Sequence, residues 1–163
     1  MDAVILFSHG SVLCGSGGAL ANHADRLRAM GDFKVVEVGY LNYSHPPFLK
    51  AVQRCLEQNA SRIFVVPYFL VPGKFVTSDL PRAIVEAQRL YSNVKFVVAK
   101  AIGYDELLAD AILDSAGHAM PEESWRDDLQ KAHLHCLNRP ECPLYETKDC
   151  PHVSVMSGCG PSV

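Results

Sequence analysis

Apolar residues collect in four short runs, and the segments between them repeat at helical spacing. The runs are Ala3–Phe7, Phe33–Leu41 ("FKVVEVGYL"), Arg62–Leu70 ("RIFVVPYFL") and Val94–Ala101 ("VKFVVAKA"). Runs this rich in Val, Ile and Phe suit strands covered on both faces, as parallel sheets require. Leu20, Ala24 and Leu27 recur at helical spacing before Met30, and Phe48, Val52, Cys55 and Leu56 do so after the Pro46–Pro47 pair, a helix-start signal. Ser78 to Tyr91 reads as a third helix, with Ser78 or Asp79 as its cap and Pro81 in its first turn. Asp105 to Ala116 reads as a fourth, ended by Gly117. The alternation predicts an α/β fold, a doubly wound, mostly parallel four-stranded sheet flanked by helices.

The pattern changes near His118. Residues 1–118 read as one α/β domain and 119–163 as a Cys-rich appendage, with a short helix expected from about Glu122 to Leu137. A chain of 163 residues is long enough for one well-buried core. Its net charge of -3 offers no footprint for a polyanion, which argues against a nucleic-acid partner. No apolar stretch reaches the roughly 20 residues needed to span a bilayer, and the N-terminus lacks the basic region of a signal peptide. A cytoplasmic protein with no membrane partner is expected.

Ligands of open parallel sheets bind beyond the carboxyl ends of the strands. Three segments meet there: "SHGS" (Ser8–Ser11), "LNYSHPP" (Leu41–Pro47) and "PYFLVPGKFVTSDLP" (Pro67–Pro81). The expected rim carries His9, Asn42, His45, Lys74, Phe75, Ser78 and Asp79, with Gly10 and Gly73 permitting close backbone approach. The glycines of "SVLCGSGGAL" do not give G-x-G-x-x-G from Gly10, and no phosphate loop with its lysine and Ser/Thr is present.

"ILFSHGS", "VGYLNYSHPPFLKAV", "IFVVPYFLVPGKFVTSDLPRAI" and "AKAIGYDELLADAIL", in this order over roughly residues 2–115, resemble the short CbiX/SirB sirohydrochlorin chelatases. The resemblance implies an enzyme inserting Fe(II) or Co(II), its metal substrate, into a tetrapyrrole without ATP, in sirohaem or cobalamin synthesis. It also implies a homodimer. The family uses two histidines, one in the first-strand motif and one after strand three. His9 matches the first, whereas Phe75 stands at the second. Asn42 falls where the family often has an acid, and His45 follows three residues later. Two readings of His45 stay open: a stand-in catalytic and metal-binding imidazole beside His9, or a cap for the next helix. Ser8, Gly10, Ser11, Asn42, Tyr68, Phe69, Gly73, Lys74 and Phe75 are the implied substrate contacts. Phe75 admits three outcomes: a rearranged metal site, tetrapyrrole binding without metallation, or a more apolar macrocycle. The rival to the enzyme is therefore a non-catalytic tetrapyrrole- or metal-binding protein with a redox-sensing tail.

Cys136, Cys142, Cys150 and Cys159 follow a C-x5-C-x7-C-x8-C pattern with no C-x2-C pair. In a reducing compartment such a cluster suggests metal before disulfides. An iron–sulfur cluster, a zinc ion drawing on His133, His135 or His152, and unligated thiols all fit. Some relatives carry an iron–sulfur cluster on such an extension, which by resemblance favours the first.

Overall fold

The structure, a computed structural model, describes residues 1–11, 17–118 and 120–122. Four parallel strands form one sheet: β1 (Asp2–Ser8), β2 (Val35–Tyr40), β3 (Arg62–Pro67) and β4 (Lys95–Val98), in the order β2-β1-β3-β4. The helices are α1 (Gly18–Met30), α2 (Phe48–Glu57), α3 (Leu80–Leu90) and α4 (Glu106–Gly117).

Alternation along β1 builds the core. Ala3, Ile5 and Phe7 face Phe48, Ala51, Val52 and Cys55 of α2 and Leu80 and Ala87 of α3. Val4 and Leu6 face Leu20 and Ala24 of α1. Both faces of the central strand are thus covered, which is why it reads as a continuous apolar run rather than an alternating one. From β1 the chain steps to β2 on one side and returns to β3 on the other, so the order reverses at the end of β1. That is the switch point where ligands of such sheets sit.

The strands are shorter than the apolar runs because pairing limits them. β2 is held from Ala3↔Val35 to Ser8↔Tyr40, and the β1–β3 ladder ends at Phe7↔Pro67. β4 pairs only over Lys95–Val98, at the sheet edge. The start of the third helix also differs from expectation. Neither Ser78 nor Asp79 caps it: a π-helical turn over Phe75–Asp79 runs directly into α3. Asp79 has helical backbone angles, and its carboxylate pairs with Arg82 instead. Pro81 does lie in the first turn. Asp105 accepts a hydrogen bond from the Leu107 N–H at 3.0 Å and caps α4.

No helix of the described residues is long and apolar enough to cross a membrane. The expected Glu122–Leu137 helix and the four C-terminal cysteines lie outside the described residues, Glu122 excepted.

Candidate active site

Backbone hydrogen bonds continue past the strand ends and stitch the rim together. Leu41 N–H donates to Ser8 O at 2.9 Å and Asn42 N–H to His9 O at 3.0 Å, joining the loops after β1 and β2. Tyr68 N–H donates to Phe7 O at 2.7 Å, and Gly103 N–H to Phe69 O at 3.0 Å, joining the loops after β1, β3 and β4. Ser44 completes the seam: its Oγ accepts from Ser11 N–H at 2.9 Å and donates to Ser11 O at 3.1 Å. Gly10 makes this closeness sterically permissible. It has φ of 85°, and a Cβ there would stand 1.8 Å from Asn42 O. Gly73 does not share that role, since a Cβ on it would meet nothing within 4 Å.

His9 emerges exposed from this seam on the α2/α3 side of the sheet. Its imidazole stacks on Phe75, with ring centroids 5.3 Å apart and planes 29° apart, and lies 6.1 Å from Phe69. Phe69 and Phe75 are themselves stacked at 6.1 Å and 21°. Phe69 is anchored below by Phe7 at 6.2 Å, which stands edge-on to Phe48 at 5.5 Å. An aromatic column therefore rises out of the core and ends in a shelf beside one imidazole. The π turn aims Phe75 at His9; such turns often mark functional sites. Offset stacking holds a ring pair with about 0.5–1.5 kcal/mol.

The other predicted residues are distributed more widely. Tyr68 points to the opposite face, packs with the α1-side core and lies 5.6 Å from His23. Ser8 contributes its carbonyl to the seam, and Lys74 is exposed just before the π turn. His45 is exposed on the β2 loop and does not cap α2, because Pro47 occupies the N-cap and no side chain bonds there. Among the described residues, no three His, Cys, Asp or Glu side chains group closely enough to hold a metal ion. His9 and His45 thus share a rim but form no ready-made ligand set.

Asn42 also borders a groove of about 270 Å³ lined by Leu41, Asp79, Arg82, Ala83 and Glu86. Ala83 and Glu86 were not among the residues expected at the site. Their spacing from Asp79, on one face of a helix, is the signal that points to them.

These features define an open parallel α/β protein whose switch point, where ligands of such sheets bind, carries an exposed imidazole stacked on an aromatic shelf. The chain belongs to the CbiX family, whose pattern matches residues 3–119. It is 30% identical over 140 residues to a sirohydrochlorin cobaltochelatase of Methanocaldococcus jannaschii, covering 71% of this chain and 98% of that one. It is 26% identical over 147 residues to the chloroplastic sirohydrochlorin ferrochelatase of Arabidopsis thaliana, covering 90% of this chain but 64% of that protein. SirB from Bacillus subtilis, solved with Fe3+, superposes with a TM-score of 0.66 at 26% identity, covering 74% of this chain and 48% of its own. The chain therefore spans nearly the whole of the archaeal relative and only about half of SirB.

Proposed function

We propose that the chain is a sirohydrochlorin chelatase that inserts Fe(II) or Co(II), with His9 at the reacting centre. The observation that carries this reading is the exposed His9 imidazole at the switch point, held against the Phe69–Phe75 shelf. Metallation removes two pyrrole protons and moves a divalent ion from water onto four ring nitrogens. Imidazole is suited to both tasks, as a base that works near neutrality and as a ligand for first-row ions. The shelf offers a flat apolar face for the macrocycle, and in this reading Ser8, Gly10, Ser11, Asn42, Gly73 and Lys74 contact its rim. Tyr68 contributes from the α1 side.

His45 serves as the second imidazole, on a loop whose backbone bonds to that of His9. The test follows sirohydrochlorin absorbance during Fe(II) or Co(II) insertion. His9→Ala should slow insertion at least about 100-fold, the lower range for a lost acid–base group. His45→Ala should slow it as well, and an unchanged rate would remove His45 from the mechanism. Phe75 favours a second reading, a protein that binds the macrocycle without metallating it. Tight binding with insertion no faster than in buffer would select that reading.

A second copy of the chain covers α4. None of its residues is buried, and Leu107, Ile112 and Leu113 are 77%, 68% and 72% exposed. Cys136, Cys142, Cys150 and Cys159 hold an iron–sulfur cluster in this reading. Brown protein with stoichiometric iron and sulfide after anaerobic purification supports it, and colourless, zinc-containing protein refutes it.

A further inference from the structure

Tyr40 ends β2 in register with Ser8 and belongs to the α1-side core. It is 5% exposed, yet among the described residues its hydroxyl has no hydrogen-bond partner. Buried polar groups are nearly always paired, so an unpaired phenol calls for an explanation. The hydroxyl is aimed at the start of α1: a Cβ on Gly17 would stand 2.5 Å from Tyr40 Oη. Glycine alone leaves room for the phenol there.

Gly17 is the N-cap of α1, makes no side-chain cap, and is followed by a first turn without an acidic residue. The helix ladder opens with Ala21 N–H donating to Gly17 O at 3.0 Å. The N–H groups of Gly18, Ala19 and Leu20 precede the first bond an α-helix can make. They point the same way, and the aligned peptide dipoles add positive potential. Burial pushes the Tyr40 hydroxyl up to about 12, so it remains a donor at neutral pH. Backbone and phenol donors meet here, and the first turn of α1 offers no acidic side chain to accept from them.

We propose that Tyr40 and the N-terminus of α1 form an oxyanion subsite that takes a peripheral carboxylate of the macrocycle. This rests on the chelatase reading and adds an orienting contact to it. His9 and the shelf lie on one side of the β1 tip, and Tyr40 and Gly17 lie on the other. A ring on the shelf would extend one acid arm over the tip, fixing its rotation about the axis of metal entry. The shared chemistry is that of an oxyanion, so inorganic phosphate is the competing source.

Tyr40→Phe removes one oxygen and keeps the ring in place. The expected result is a KM for sirohydrochlorin about tenfold higher with kcat nearly unchanged, the pattern of lost uniform binding to a charged group. Equilibrium titration of sirohydrochlorin absorbance should show the same shift in Kd. That measurement stands even if no metallation occurs, so failure of the chelatase reading and failure of the subsite are separable. Gly17→Ala, which crowds the phenol, should raise Kd similarly. The urea midpoint of ligand-free Tyr40→Phe should equal or exceed that of the unmodified protein. An unchanged Kd in both variants overturns the subsite, as does a lower midpoint, which would expose an internal partner. Phosphate that binds through Tyr40 while sirohydrochlorin affinity is insensitive to Tyr40→Phe overturns the carboxylate assignment.

Discussion

Replacing Gly10 by alanine tests whether the seam between the β1 and β2 loops positions the site. The new Cβ would lie 1.8 Å from Asn42 O, 2.9 Å from Ser44 N and 3.0 Å from Asn42 C. Ordinary contact begins near 3.4 Å, so the Asn42 carbonyl must retreat by about 1.6 Å. All three obstacles are backbone atoms, so no rotamer change relieves them. Holding alanine at φ of 85° adds about 1–2 kcal/mol. The retreat also pulls Asn42 N–H from His9 O and Ser44 from Ser11. Each such bond is worth about 0.5–1.5 kcal/mol.

The combined cost is roughly 2.5–6.5 kcal/mol, a large part of the about 5–15 kcal/mol that holds a typical domain together. Urea denaturation should show a markedly lower midpoint with an unchanged slope. In the fraction that stays folded, metallation should fall about 100-fold, since a shift of about 1 Å commonly has that effect. An unchanged midpoint together with an unchanged KM and kcat would refute the reasoning, because the seam would then neither carry stability nor position Asn42 and His45 against His9.

Other outcomes follow from the same geometry. Phe75→His brings a second imidazole to the position now 5.3 Å from the His9 ring, so Co(II) should bind at least about tenfold tighter, equivalent to about 1.4 kcal/mol, by visible absorption. Phe75→Ala removes the shelf edge and should weaken sirohydrochlorin binding without restoring metal affinity, as an absorbance titration would show. Cys55 is fully buried, and burial, with Glu37 adding to it, pushes its thiol up to about 12. It is therefore neutral at pH 8, and peptide mapping should find iodoacetamide labelling at least about 100-fold slower folded than in urea. If a second copy covers α4 as proposed, Leu107→Glu paired with Ile112→Glu should shift the sedimenting species from dimer to monomer.

The fold was legible because burial and pairing write directly into the apolar pattern. Both faces of β1 are covered, so Ala3 to Phe7 form an unbroken run, and the core seals on each side. Strand ends were less legible, since ladder length depends on the partner strand, as Pro67 shows by ending β3 opposite Phe7. His9 could be read from its position after a buried strand. Its stacking partner could not, because the aim of Phe75 depends on a π turn that no periodicity announces. Gly73 and Gly10 read alike as rim glycines, yet of the two Gly10 alone faces a neighbouring backbone. Asp79 looked like a cap because it precedes Pro81, but the helical path already continues through it and its carboxylate turns to Arg82.

In the proposed mechanism, having His9 as the one imidazole against the shelf imposes an order on the chemistry. Neutral imidazole has one ring nitrogen with a free lone pair, so it can hold the ion or accept a pyrrole proton, but not both at once. With Phe75 stacked on it, His9 cannot divide the two tasks with its ring partner. One solution is temporal: His9 guides the ion to the ring, releases it, and then takes a proton. The other is spatial, with His45 taking the proton from the neighbouring loop. The two solutions separate in a double variant. If His45 supplies the base, His45→Ala combined with Phe75→His should recover insertion, because the new imidazole restores the missing lone pair. If His9 works alone in sequence, His45→Ala leaves the rate intact from the start. Phe75→His then changes metal affinity more than turnover.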